Sequence, residues 1–157
     1  MKKNALLLVL LLTCSSIFAQ KVPKVLIVGW DGVRQDAITQ LRASGDIPVL
    51  DSLMNIGMWS TNVWVINKSI SAPEWSTIMN GVYEDKHLVV DNSYTNANFA
   101  QYPFFPTRAK ECNPNLVCEQ IITWNPMGVA GVNPGGYVTN AGFDESIDVG
   151  DYGLGLV

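Results

Sequence analysis

Apolar and polar positions along the chain change period several times, and each change marks a predicted element. Val25-Leu26-Ile27-Val28 is a continuous apolar run between Lys24 and Gly29. A run of this kind predicts a strand buried on both faces, as in sheets covered by helices. Asp36 is placed to cap a helix running through Leu41 and Arg42, with Gly45 ending it. Pro48 opens a second helix, in which Leu50, Leu53 and Met54 share a face and Gly57 closes the element. From Met58 to Ile66, Trp59, Thr61, Val63 and Val65 alternate with Ser60, Asn62, Trp64 and Ile66, which predicts a strand.

Ser71-Ala72-Pro73 then leads into a helix over Glu74 to Met79, stopped by Gly81. His87 to Val90 reads as a short strand or turn, and Ser93 to Gln101 as a polar loop. Phe105 to Lys110 is a predicted short helix, and Glu119 to Trp124 a further strand. Residues 128–157 hold eight glycines and no helical periodicity. The apolar, glycine-rich end Leu154-Gly155-Leu156-Val157 reads as a chain stopping before its fold is complete. Strands alternating with helices place the chain in the α/β class, with helices on both faces of the sheet. No repeat or linker divides it.

The first nineteen residues stand outside this pattern. Lys2 and Lys3, the apolar run Ala5 to Leu12, and Phe18-Ala19-Gln20 have the layout of a secretory signal peptide, with cleavage expected after Ala19. Cys14 offers an alternative lipid attachment point, although Thr13 suits that reading poorly. The remaining domain, residues 20–157, has no apolar run long enough to span a membrane. Export, to a periplasm or beyond the cell, is the expectation.

Removing Lys2 and Lys3 takes the formal charge from −4 to −6. An acidic chain without a basic cluster argues against binding nucleic-acid polymers and suits divalent cations, which need carboxylates. Cys112 and Cys118 remain after cleavage. In an exported protein they are expected to pair across the loop containing Pro114, the alternative being two free thiols. They do not build a zinc site, because no second cysteine pair or nearby histidine completes four ligands.

Three positions carry candidate chemistry, each with a plainer alternative. Asp31 follows the first predicted strand at the C-terminal edge, where α/β sheets bind ligands, but Asp31-Gly32 also suits a simple turn. Ser71 lies at or before a helix N-terminus, where the dipole and unpaired N–H groups favour negative charge. Ser71-x-x-Glu74 also matches a capping box. Asn92, after Asp91, either makes a turn or offers an amide donor.

Taken together, VLIVGWDGVRQDAI and SAPEWSTIMNGVYEDKHLVVDN resemble the alkaline phosphatase superfamily, most closely its type I phosphodiesterase/nucleotide pyrophosphatase group. Asp31, Gly32, Arg34, Ser71, Pro73, Gly81, His87 and Asn92 follow that group's order and spacing, and the resemblance covers most of residues 24–125. It implies an alkaline-phosphatase-like sheet and a phosphoryl- or sulfuryl-transfer enzyme with two zinc ions. It further implies Asp31 and Ser71 as ligands of one zinc, Ser71 as the nucleophile, and Asn92 as donor to a phosphate oxygen. His87 matches a structural histidine. The implied substrate is a small phosphoester or nucleotide-like molecule.

Haloacid-dehalogenase-like chemistry is disfavoured because Gly29 stands where the nucleophilic aspartate belongs. Trp75 stands where a sulfatase places the arginine that guides formylglycine formation. A single histidine cannot complete two zinc sites, so residues 20–157 read as the N-terminal part of a hydrolase. The alternative is an exported, non-catalytic α/β binding module or an inactive truncated hydrolase.

Overall fold

The structure, a computed structural model, describes residues 23–65, 68–133 and 135–150. The expected signal peptide, Cys14, Ile66 and the Leu154–Val157 end lie outside the described residues. The chain divides between Ile38 and Thr39 into two units.

In the first unit, residues 23–30 form no strand, and Asp31-Gly32 make a turn. The strand predicted from Lys24 to Gly29 is therefore absent. Val25 and Leu26 are 84% and 86% exposed rather than buried on two faces. The β-branched composition favours an extended backbone, but a ladder also needs a partner strand to take its N–H and C=O groups. Helix α1, Gln35–Ser44, begins here beyond Arg34, whose guanidinium bonds Asp36 through Nε at 3.0 Å.

In the second unit, the end of α1 is held to α2, Pro48–Ile56, by Arg42, which pairs with Asp51 and donates to Asn55 Oδ1 at 3.0 Å. The same guanidinium lies over Trp59, 5.1 Å from the ring centroid. The apolar face expected of α2 is not buried: Leu53 is exposed, and Leu50 and Met54 are only half-buried. Residues 58–65 are irregular and exposed, correcting the strand expected there. Like residues 24–29, they have strand-forming side chains and no ladder.

Helix α3, Ser71–Asn80, starts three residues earlier than its predicted span. Gly81 ends it in the left-handed region at φ 70°, donating its N–H to Thr77 O at 3.0 Å. A four-residue helix, α4 (Glu84–His87), ends at the start of the short strand or turn expected over His87 to Val90, and residues 88–90 form no strand. Helix α5, Phe105–Cys112, follows the turns that span residues 91–102.

Strand β1, Glu119–Ile122, pairs in parallel with β2, Glu145–Asp148, in the register Glu119 to Glu145. A parallel pair needs a long crossover, here supplied by the glycine-rich residues between the strands. β2 lies in the tail that showed no pattern. The observed class is mixed α/β, with five helices and a two-stranded parallel sheet among the described residues. Cys112 and Cys118 are free thiols, correcting the expected disulfide.

The core gathers Ala72 and Met79 of α3 with Val89, Tyr94, Phe99, Phe104, Val138 and Ala141. Phe99 and Phe104 meet edge to face at 5.4 Å, and Tyr94 stacks on Tyr137 at 6.0 Å. The tail reaches this core at Gly142, where an added Cβ would lie 2.2 Å from the Thr107 backbone nitrogen. That approach, together with φ 74°, requires glycine.

Candidate active site at the Ser71 helix

The start of α3 is built by the distribution of four N–H groups that no helical carbonyl can accept. Ile70, in an extended conformation, is the N-cap, and its N–H donates to Lys68 O at 2.7 Å. Pro73 has no N–H. The Ala72 N–H donates to Asn92 Oδ1 at 2.9 Å. Only the Ser71 N–H is left without an acceptor among the described residues.

This arrangement changes the expected role of Ser71. It is the first helical residue rather than the N-cap, and α3 has no side-chain bond from its cap. The capping box with Glu74 does not form. Ser71 Oγ has no hydrogen-bond partner among the described residues, and the residue is half-buried. The capping function falls to Asn92, twenty residues away. Sequence proximity could not reveal that, because the bond depends on how the loop after α4 returns to α3.

Asn92 is exposed, and its carbonyl oxygen is committed to Ala72. Its NH₂ group, with no partner among the described residues, is the remaining donor. Ser71 and Asn92 thus meet at one helix start: a hydroxyl and a backbone N–H from one, and a side chain held to the next amide from the other. Such a group of donors at the positive end of a helix suits an anion. Two buried oxygens on the same helix, Glu74 Oε1 and Ser76 Oγ, also have no partner among the described residues.

His87 fixes the return of the loop. It is fully buried, with Nδ1 accepting the Val89 N–H at 3.0 Å and Nε2 3.0 Å from Thr77 Oγ1 of α3. The Nδ1 acceptor makes Nε2 the protonated nitrogen of the neutral ring, donating to Thr77. Burial pushes the His87 pKa down, with opposition from Glu84 and Asp85. Both ring nitrogens are occupied, in keeping with the structural role the resemblance implied.

Asp31 lies in the first unit, exposed in the turn that ends residues 23–32. Among the described residues, no three His, Cys, Asp or Glu side chains gather as a metal-binding group. The described residues therefore do not complete the zinc centre that the resemblance implies, which needs three protein ligands or more.

The sequence profile of the family "type I phosphodiesterase / nucleotide pyrophosphatase" matches residues 25–148. The chain belongs to that family, within the alkaline phosphatase superfamily. Comparisons with curated proteins and with solved structures give no match. Family membership suggests a phosphoester hydrolase acting on a small phosphoester. Among the described residues, no helix is long and apolar enough to cross a membrane.

Proposed function

We propose that this chain carries the nucleophile segment of an exported phosphodiesterase or phosphatase, with Ser71 attacking phosphorus and Asn92 donating to a phosphoryl oxygen. The observation that carries the reading is the hydroxyl and N–H of Ser71, without a partner among the described residues, beside the clasped amide of Asn92. The helix start favours both the anionic substrate and the alkoxide character that attack requires. The Asn92 NH₂ group is suited to stabilise charge developing on a non-bridging oxygen. The covalent step joins Ser71 Oγ to phosphorus and releases the leaving alcohol; water then cleaves the seryl ester and restores the hydroxyl.

Asp31 and Ser71 are the zinc ligands that the family resemblance implies, but the described residues complete no zinc centre. The sheet of the complete domain would then be the alkaline-phosphatase-like one, with residues 20–157 as its N-terminal part. A non-catalytic binding module is the second reading, favoured by the lack of a gathered ligand group among the described residues. In the complete hydrolase domain, turnover of bis-p-nitrophenyl phosphate, lost in Ser71→Ala with folding intact, supports the enzyme. Equal binding of a phosphodiester by both proteins, without turnover by either, supports the module.

A further inference from the structure

The single bond from Ala72 to Asn92 depends on a short turn whose own bracing is unusually complete. Asn92 is exposed, and an exposed amide held by one hydrogen bond gains little from that bond alone. Its neighbours restrict it from two sides. Asp91 Oδ1 accepts the Ser93 N–H at 2.8 Å and the Ser93 hydroxyl at 2.5 Å. The same hydroxyl lies 2.7 Å from Thr95 Oγ1 and accepts the Thr95 N–H at 3.2 Å.

On the inner side, Tyr94 has φ 55°, a left-handed conformation that a bulky residue rarely adopts. Its ring is buried against Phe99, Trp124 and Tyr137. The turn closes where the Asn98 N–H donates to His87 O at 2.9 Å. Residues 91, 93 and 95 therefore bond one another on the outer side, Tyr94 anchors the inner side, and Asn92 emerges between them toward α3.

We propose that Asp91 is a positioning residue: by bonding Ser93 it fixes the turn that carries Asn92 and so holds the Asn92 amide on the Ala72 N–H beside Ser71. Its catalytic importance rests on the function proposed above; the clasp itself does not. The carboxylate form suits this task, because the Ser93 hydroxyl and N–H hold the Asp91 pKa below its usual value.

Asp91 is exposed, so its replacement tests the turn without opening the core. In the 157-residue protein, Asp91→Ala should speed hydrogen exchange of the Ala72 amide by about five- to tenfold, the scale of one lost hydrogen bond. Asn92→Ala sets the limit of that effect. The Gly81 amide, bonded at the other end of α3, should keep its wild-type rate. Asp91→Asn retains an acceptor for the Ser93 N–H and should restore slow exchange at Ala72.

In turnover of bis-p-nitrophenyl phosphate by the complete hydrolase domain, Asp91→Ala should lower kcat in the wild-type background and have no further effect with Asn92→Ala. Unchanged Ala72 exchange, equal acceleration at Gly81, or additive losses in the double variant would each overturn the proposal. If Asn92→Ala leaves turnover intact, the proposed function of Asn92 fails; the exchange rates still judge the clasp.

Discussion

Ala72 and Asn92 are joined by a 2.9 Å hydrogen bond from the backbone of one to the side-chain carbonyl of the other. This bond gives Asn92 two separable roles, as helix cap through Oδ1 and as amide donor through Nδ2. Asn92→Ala removes both. It should cost about 1 kcal/mol of stability, as other lost caps do, and lower turnover by roughly 10²–10³-fold, as a lost oxyanion donor does.

Asn92→Asp separates the roles. The carboxylate still accepts from Ala72 and adds negative charge at a helix N-terminus, a change worth about 0.3–1 kcal/mol in favour of the fold. It has no amide donor and repels an anionic substrate. Thermal melting should show stability kept or raised, while turnover falls at least as far as in Asn92→Ala. A variant that keeps turnover would assign Asn92 to capping alone.

His87 gives a pH dependence with a defined sign. Its folded-state pKa is lowered by burial from an ordinary value of 6.5, so the unfolded chain binds the proton more readily. The stabilising contribution is complete above about pH 6.5 and is lost as pH falls toward the folded value. Protonation places a hydrogen on Nδ1 and ends its acceptance of the Val89 N–H. Urea unfolding should therefore show declining stability on acidification below pH 6.5. His87→Gln should flatten that decline while lowering stability throughout.

Gly142→Ala should destabilise the protein by about 2–4 kcal/mol. The added carbon meets the α5 backbone at Thr107, which cannot yield as a flexible side chain would, and adopts an unfavourable backbone angle. Urea melts of the two proteins measure this directly. A near-neutral effect would mean that the tail does not pack against α5 as described.

Much of the helical part was legible because its signals are local. Gly45, Pro48, Gly57 and Gly81 mark boundaries by their own backbone preferences, and the structure keeps all four as helix edges. Strands were harder to read, because a strand is defined by its partner. Val25-Leu26-Ile27-Val28 has the composition and no ladder, whereas Glu145–Asp148 is polar and pairs with β1.

At the candidate site, Ser71 and Asn92 were legible as residues, but their division of labour was not. The local Ser-x-x-Glu pattern pointed to capping by Ser71, while the folded chain gives that task to a side chain from the next turn region. Cys112 and Cys118 show the same limit: closeness in sequence suggested a bond that the structure does not form.

The central claim is that the Ser71 hydroxyl is free for chemistry, and Ser71→Ala tests it most directly when stability and turnover are measured on one preparation. In the complete hydrolase domain, the variant should unfold within about 0.5 kcal/mol of the wild type, below the usual cost of a lost cap, and show no turnover of bis-p-nitrophenyl phosphate where the wild type turns over. A loss of 1 kcal/mol or more with turnover retained would contradict the account and return Ser71 to the role of a helix cap.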